Sequence, residues 1–485
     1  MKRTTGLMRR SILSRSLAGA LATVSLAGGA LIVATPALAA KAPKAPEAPK
    51  VTMSKTFQPL AAALSKGIED AKKKPDVVAA QAKVAAATEA LRTAQGASAR
   101  TAARGQRDAA AGELGTTLTA EKTQLDGAFA AASTPDDRYV AGQLAVQLGG
   151  LAQDPAIQRK GLAAMLESGK VAPAEAPRLQ FYLGSISYDL KDYAAARTAF
   201  TSALSAGYKD GDIEALLAES FIADNQIAQG LTVLNQAIDS RRAAGTLAPQ
   251  GWYRRGLGAA YKAKILDQAA NFSMALVRDY PSNDNWAGAI TVLREVGGYA
   301  NQESLDLMRL MDRTNSWSEG RDYVEFLQAA DARRLPGEVI AVIDKGVAAG
   351  KLNMADVFVS ENKSLAAGRV AADKASLPGL ERDARAANAN GATIAAAADA
   401  FLSYGQSAKA AELYTLALSK PGGDQARALT RLGIAQADSG DYAAAAATFA
   451  KVEGPRKALA QLWGIYAAQK AAPPAPPAPP APPAK

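Results

Sequence analysis

The stretch YLGSISYDLKDYAAARTAF at residues 182–200 decides the fold, because a close variant, RLGIAQADSGDYAAAAATF, recurs at residues 431–449. Each copy has Leu-Gly near its start, Asp-Tyr nine residues after the Leu, then a run of Ala and a final Phe. A pattern that returns within one chain is the signature of a repeat architecture, in which one structural unit is used several times. The two copies therefore predict repeated units rather than unrelated domains.

The spacing inside each copy indicates a pair of helices. Gly184 precedes Phe200 by the same interval that separates Gly433 from Phe449, and an Ala lies one helical turn before each Phe. Small residues on both helices allow a close crossing, while the aromatic side chain interdigitates with the next pair and excludes water. We expect Asp192 and Asp441 to lie at the turn, where an Asp can cap the second helix.

These stretches resemble the tetratricopeptide repeat, a 34-residue helix–turn–helix unit. The repeat has Leu and Gly at positions 7 and 8, Ala at 20, an aromatic at 24 and a small residue at 27. Position 11 departs from the pattern, because Ser187 and Gln436 stand where an aromatic is usual. Five copies can be framed, and their marker residues are Leu183, Gly184, Ala196, Phe200 and Ala203; Leu217, Ala218, Phe221, Leu234 and Ala237; Leu257, Gly258, Tyr261, Ala270 and Met274; Ala398, Phe401, Ala410, Tyr414 and Ala417; and Leu432, Gly433, Ala445, Phe449 and Val452.

The resemblance implies an all-α fold, an α-solenoid of such repeats. The composition predicts in addition an Ala-rich helical N-terminal region and disordered Pro-rich ends. The layout of the whole chain also resembles exported repeat-containing proteins of Gram-negative bacteria. The predicted organisation is a signal peptide (1–39), a Pro/Lys-rich linker (40–55), an Ala-rich helical region (56–176), repeats (177–283), degenerate helical repeats (284–390), a C-terminal repeat pair (391–470) and a Pro-rich disordered tail (471–485). Within the Ala-rich region, residues 93–106 are predicted as a loop.

The first 39 residues have the composition of a secretory signal peptide. Residues 1–16 are basic and polar, residues 17–34 are apolar and small, and Ala37 and Ala39 fit the −3 and −1 positions of a cleavage site. We expect a cut after Ala39 and a periplasmic or otherwise exported mature chain without a membrane span. An uncleaved anchor stays open, because 18 apolar residues can span a bilayer. A twin-arginine signal also stays open beside the ordinary secretory route, since Arg9 and Arg10 are adjacent.

The composition removes several classes of chemistry. The chain of 485 residues contains no Cys and no His, which excludes disulfides, Cys-ligated zinc, and nucleophile systems that use a His base. No phosphate-binding glycine motif or calcium loop is present. We expect no cofactor, no metal and no enzymatic activity. A glycan hydrolase using paired carboxylates stays as the enzymatic alternative, although solvated helix faces are the favoured interpretation of its candidates, Glu295, Glu303, Glu319, Glu325 and Glu338.

The formal net charge of +10 is concentrated at one end of the chain. Five cations lie in the predicted signal, and residues 41–107 hold 13 Lys/Arg against 5 Asp/Glu. Because the excess is not spread over a recognisable module, we expect no nucleic-acid partner. The basic segment 41–107 could instead contact an anionic surface of the cell envelope.

Stacked helix pairs form a groove whose inner wall is built by the first helix of each pair. The implied wall positions 5, 9 and 12 predict Tyr188, Glu219, Arg255 and Lys262 as partner contacts. The leading hypothesis is a non-enzymatic exported scaffold that binds protein or peptide partners through this groove. The alternative is a structural spacer in the envelope, held by the basic segment and the Pro-rich ends.

Overall fold

The structure, a computed structural model, describes residues 51–472 and is all-helical there, with helix pairs joined by short turns. The predicted signal peptide, most of the predicted linker and nearly all of the Pro-rich tail lie outside the described residues. The chain divides into two compact units, with the boundary between Val233 and Leu234. We refer to them as unit 1 and unit 2 and describe each by itself.

Unit 1 consists of nine helices in the described residues, and a tenth crosses into unit 2. They are α1 (Gln58–Ala71), α2 (Pro75–Thr93), α3 (Ala97–Thr117), α4 (Thr119–Ala131), α5 (Pro135–Leu151), α6 (Pro155–Glu167), α7 (Ala176–Asp189), α8 (Tyr193–Ser205) and α9 (Ile213–Ala223), with α10 (Ile227–Ala243) across the boundary.

Unit 2 contains twelve further α-helices and one short 3₁₀ turn (Gly454–Arg456) in the described residues. They are α11 (Gln250–Lys262), α12 (Leu266–Asp279), α13 (Asn283–Gly297), α14 (Asn301–Arg313), α15 (Gly320–Ala330), α16 (Pro336–Ala348), α17 (Val357–Ala384), α18 (Gly391–Ser403), α19 (Ser407–Leu418), α20 (Gln425–Asp438), α21 (Tyr442–Phe449) and α22 (Lys457–Ala471).

The turns inside the two quoted stretches are capped as predicted. The Asp192 side chain accepts a hydrogen bond from the Ala195 N–H, and Asp441 accepts one from the Ala444 N–H, both at 3.1 Å. Each bond satisfies an N–H group that has no partner inside the helix. The aspartates therefore fix where α8 and α21 begin.

The predicted loop at residues 93–106 is wrong for most of its length. The chain turns at residues 94–96, with Gly96 at φ 83°, and α3 then runs from Ala97. Ala and Arg are strong helix formers, and they outweigh the single Gly105 in the middle of the segment. Packing of α3 against α2 makes the two helices a hairpin.

The close crossing that the spacing predicts is present in both quoted stretches, but the group nearest to each glycine is the aromatic ring of its own helix pair, which was predicted to face the next pair. A methyl group built on Gly184 would lie 2.6 Å from the ring of Phe200, and one built on Gly433 would lie 2.5 Å from the ring of Phe449. No real side chain tolerates such an approach, so glycine is required for the ring to lie against the facing helix. The shared spacing of the two pairs therefore marks a physical contact.

The third copy follows the same rule in a different register from the one predicted. Gly258, placed at the close crossing by the sequence frame, is exposed, and a methyl group added there would have no atom within 4 Å. Gly256 makes the crossing instead, against the ring of Phe272, at the interval that also separates Gly184 from Phe200. The frame of this copy is thus wrong by two residues, because two glycines were available and the aromatic partner selects the first.

An additional close crossing in unit 1 lies outside the five framed copies. A methyl group on Gly142 of α5 would lie 2.7 Å from the Gly161 carbonyl of α6, and one on Gly161 would lie 2.6 Å from the Gly142 carbonyl. Here the backbones of the two helices touch directly, without an aromatic ring between them. The Ala-rich region therefore contains a helix pair of the same kind with different side chains.

Unit 2 differs from a simple array, because its last helix packs against helices far away in sequence. Helix α22 contacts α12, α13 and α14 as well as its neighbours α20 and α21. The Gln469 amide donates to the Val277 carbonyl at 2.7 Å, and the Trp463 indole N–H donates to the Asp306 carbonyl at 2.9 Å. Repeats in an open array contact only the adjacent repeats, so unit 2 is closed by long-range packing.

Among the helices between residues 51 and 472, none combines the length and the apolar character that crossing a membrane requires.

Candidate functional site

Two of the predicted contacts, Tyr188 and Glu219, lie in unit 1. Both side chains are half-buried. The Tyr188 ring packs edge-on against the ring of Tyr193 at 5.4 Å, so it stabilises the α7–α8 turn. Phe181 and Ser185, which occupy wall positions 5 and 9 of the copy that contains Tyr188, are buried. The wall of these copies is therefore mostly occupied by internal packing.

The other two predicted contacts, Arg255 and Lys262, lie on α11 in unit 2. Arg255 is half-buried and Lys262 is exposed. With the register corrected to Gly256, the wall positions of this copy become Tyr253, Leu257 and Ala260, of which Tyr253 and Ala260 are fully buried. Arg255 and Lys262 thus lie on α11 but not at the wall positions that selected them. Two of the four predicted contacts therefore lie in unit 1 and two lie in unit 2.

The carboxylates considered for glycan hydrolysis serve as structural partners. Glu303 and Glu338 accept from buried arginines, and Glu319 caps α15 together with Asp322. Glu325 pairs with Arg294 and Arg321, and Glu295 accepts from the Tyr261 hydroxyl. A solvated helix face is therefore the wrong interpretation for Glu303 and Glu338.

The most strongly charged feature of unit 2 is a buried group of side chains around Asp306, which we call the Asp306 cluster. Asp306 is fully buried on α14, and three buried arginines donate to its carboxylate. Arg309 and Arg456 donate at 2.8 Å, and Arg431 donates at 3.1 Å. The charged members of the cluster are Glu303, Asp306, Arg309, Glu338, Asp399, Arg427, Arg431 and Arg456.

Asp399 forms the second centre of the cluster. Its carboxylate accepts from Arg431 at 2.7 Å, from the Tyr414 hydroxyl at 2.5 Å, and from Arg427. The Arg431 guanidinium therefore bridges Asp399 and Asp306, and its remaining nitrogen donates to the Gln302 amide oxygen at 2.8 Å. Four arginines and four carboxylates balance, so the cluster carries no net formal charge.

The arginines keep the buried carboxylates ionised. Burial raises the pKa of Asp306, but the charges of Arg431, Arg309 and Arg456 outweigh it and hold the pKa below its usual value. For Asp399, the same opposition of burial and the charges of Arg431 and Arg427 lowers the pKa to about 2. A buried ion pair is stable only when its hydrogen bonds are made, and these carboxylates have theirs.

Asp189, beside the predicted contact Tyr188, behaves differently. Among the carboxyl groups in the described part of the chain whose pKa is shifted, it is the one whose pKa is raised, through desolvation that the charge of Arg107 partly offsets. A raised pKa suits a general acid. Asp189 is the last residue of α7 and is exposed.

Sequence reasoning missed the Asp306 cluster. The segment SLDLMRLMDR, residues 304–313, predicts a short apolar helix. In the structure, Asp306 and Arg309 of this segment are buried among its apolar residues. The signal in the sequence was the pair of charged residues inside an apolar helix, because a buried Arg needs a carboxylate partner. Arg431 directly precedes the Leu-Gly of the last copy. The residues between 51 and 472 include no group of three His, Cys, Asp or Glu side chains arranged as metal ligands.

The sequence matches no protein-family model and no curated protein. Similar solved structures include Naa15/Naa10 bound to HypK-THB, at 15% identity over 84% of this chain and 70% of that chain, with a TM-score of 0.29. The maize pentatricopeptide repeat protein PPR10 matches at 15% identity over 84% and 63%, with a TM-score of 0.26. The human IFIT1 dimer with m7Gppp-AAAA matches at 13% identity over 84% and 96%, with a TM-score of 0.20.

Proposed function

We propose that this protein is a non-enzymatic, exported scaffold of the cell envelope that binds protein or peptide partners through the surfaces of its helix pairs. The observation that carries the proposal is the repeated small-to-aromatic contact at Gly184, Gly256 and Gly433. Stacking of such pairs places successive helices side by side and creates extended surfaces for other chains. Residues 1–39, with the composition of a signal peptide, support export.

The fate of the carboxylates favours binding over catalysis. The buried acids Asp137, Asp306 and Asp399 have lowered pKa values, because arginines or backbone N–H groups hold each of them in its charged form. A glycan hydrolase needs one carboxyl group with a raised pKa beside a second that stays ionised. The pairing of the candidate acids with structural partners therefore supports the non-enzymatic scaffold over the hydrolase alternative.

The spacer hypothesis is less well supported, because much of the basic segment is neutralised internally. Half of the ten Lys and Arg residues between positions 51 and 107 form ion pairs with nearby acids. These pairs are Lys72–Glu69, Lys74–Glu121, Lys83–Glu113, Arg92–Glu89 and Arg107–Asp108. Less unpaired charge is left for an anionic surface than the composition implies.

Photo-crosslinking in living cells tests the proposal. A photoreactive amino acid replaces Leu190 in unit 1 or Tyr261 in unit 2, which are both large exposed side chains. We expect discrete adducts of higher mass that contain another protein, and we expect fewer from a control probe at Phe272, which is fully buried. Folded, exported protein that yields no adduct from either exposed position would overturn the scaffold function.

A further inference from the structure

The longest acid-free, strongly basic stretch of the described chain includes α11. Residues 240–265 contain six Lys or Arg and no Asp or Glu. Two of the six have internal roles: Arg242 donates to Asp279 at 2.7 Å, and Arg241 lies over the Trp252 ring at 4.5 Å. The remaining four cations lie on α11 or in the turn that follows it.

Three of these cations are exposed and form no ion pair with any described residue: Arg254, Lys262 and Lys264. At 100° per residue, Arg254, Gly258, Tyr261 and Lys262 lie within an arc of roughly 100° on one side of α11. We call this set, together with Lys264, the α11 cation face. It differs from the wall positions of this repeat, which are largely buried.

The centre of the α11 cation face is bare backbone. Gly258 lies one turn from Arg254 and one turn from Lys262, and a methyl group added there would meet no atom within 4 Å. An exposed glycine inside a helix costs about 1 kcal/mol relative to alanine. No internal contact of Gly258 offsets that cost, whereas the missing side chain lets a partner approach the helix closely.

The surroundings add apolar surface and two carboxylates. Tyr261 is 39% exposed and Leu266, at the start of the next helix, is 42% exposed. Glu295 accepts a hydrogen bond from the Tyr261 hydroxyl, and Asp267 occupies the first turn of α12, where a negative charge suits the helix dipole. The face therefore combines three unpaired cations with an apolar edge.

We propose that the α11 cation face binds an acidic segment of a partner protein in an extended conformation. This inference rests on the proposed scaffold function and names the chemistry of its partner. Lys262 lies eight positions after Arg254 on α11, a rise of about 12 Å. Four residues of an extended strand span about 13 Å. The segment therefore carries two acidic side chains four residues apart, with its backbone over Gly258 and an apolar residue between them.

A protein segment fits this face better than a nucleic acid. Nucleic-acid grooves offer many cations along a backbone path and several aromatic rings for stacking. Here three cations are unpaired, and the single exposed ring of Tyr261 is engaged with Glu295 through its hydroxyl group. Two spaced carboxylates and one apolar residue match what the face provides.

Fluorescence polarisation with a labelled peptide containing Glu-Ser-Leu-Ser-Glu tests the inference on the full chain. We expect saturable binding that weakens at least tenfold in Arg254→Glu/Lys262→Glu. The charge-matched control Arg333→Glu/Lys451→Glu changes exposed residues elsewhere in unit 2 and should bind like the native protein. Gly258→Leu alters no charge and should also weaken binding, because its side chain occupies the approach path; circular dichroism confirms folding of each variant.

The outcomes separate this inference from the proposed function. Equal binding by the native protein and by Arg254→Glu/Lys262→Glu, or no binding at all, overturns the α11 cation face even if crosslinking still captures partners. Preferential binding of a labelled oligoadenylate that the same double variant abolishes also overturns it, in favour of a nucleic acid. Loss of peptide binding in both Arg254→Glu/Lys262→Glu and Gly258→Leu, with the control intact, supports it.

Discussion

The α7–α8 repeat of unit 1 and the Asp306 cluster of unit 2 are held together by opposite means. In the repeat, Gly184 and the Phe200 ring bring two adjacent helices into contact without any charge. In the cluster, Asp306 and Arg431 are 125 residues apart and meet through charged hydrogen bonds in the core. The first arrangement depends on local spacing, whereas the second requires that distant helices are already in place.

Helix pairs of this kind can therefore be stabilised either by local apolar contacts or by long-range charged contacts. Local apolar contacts allow a repeat to be added or removed with little effect beyond its neighbours. Long-range charged contacts make several pairs fold and unfold together, because breaking one member leaves others buried without a partner. We expect unit 2 to be the more cooperative of the two. The four Trp residues of the chain all lie in unit 2 and report its unfolding.

The largest effect is expected from Asp306→Ala. The substitution leaves the buried guanidinium groups of Arg309, Arg431 and Arg456 without their shared carboxylate, and removing one member of a buried ion pair costs about 3–5 kcal/mol. Urea unfolding followed by Trp fluorescence measures the loss. Asp383→Ala removes an exposed acid from the same unit and serves as the control, with a loss of less than about 1 kcal/mol. Equal small losses would mean that the cluster does not hold unit 2 together.

A smaller effect is expected when the pH is lowered. The pKa of Asp399 is about 2 in the folded chain against 3.8 ordinarily, so its contribution is fully present above pH 3.8 and is lost as the pH falls through 2. The contribution is roughly 2–3 kcal/mol. Trp-detected unfolding of unit 2 should therefore show no loss from this group between pH 7 and pH 5, and a loss below pH 4. In Asp399→Asn, part of that acid dependence should vanish; an unchanged pH profile would contradict the assignment.

The smallest effect concerns the helix caps of the local repeats. Asp192→Ala removes the acceptor for the Ala195 N–H at the start of α8 and should cost about 1 kcal/mol. Hydrogen exchange resolved by mass spectrometry should show faster exchange in α7 and α8, with unit 2 unaffected. Asp192→Asn keeps an acceptor oxygen and is the matched control. Faster exchange in unit 2 as well would contradict the local character of this contact.

Local features of the fold could be predicted from the sequence because the residues concerned lie close together in it. The close crossing at Gly184 and the Asp192 cap both follow from spacing and side-chain type, whereas the position of the Phe200 ring against Gly184 was not predicted. The predicted frame of the third repeat lies two residues late, because it followed the dipeptide Leu257-Gly258. Gly256 instead keeps the interval to an aromatic residue, here Phe272, that the first and last copies share, and this interval marks the glycine that meets the ring.

The features that define unit 2 could not be predicted in the same way. Arg456 reaches Asp306 across 150 residues of chain, and no spacing rule connects two such positions. The prediction of the partner contacts had a related weakness. The residues assigned to the wall positions depended on the frame of each repeat, so an error in the frame shifted the predicted contacts. The open cations of α11 were visible in the composition of residues 240–265, but their exposure followed only from the packing.

The register of each helix pair is set by a glycine that faces the aromatic ring of the following helix. Comparison of Gly256→Ala with Gly258→Ala tests it directly, since the two sites are close neighbours on α11. We predict that Gly256→Ala lowers the free energy of unfolding of unit 2 by about 1–3 kcal/mol through overpacking against Phe272. Gly258→Ala should leave it unchanged or raise it by up to about 1 kcal/mol. Equal effects, or a larger loss from Gly258→Ala, would contradict the claim that the contact between Gly256 and Phe272 sets the register.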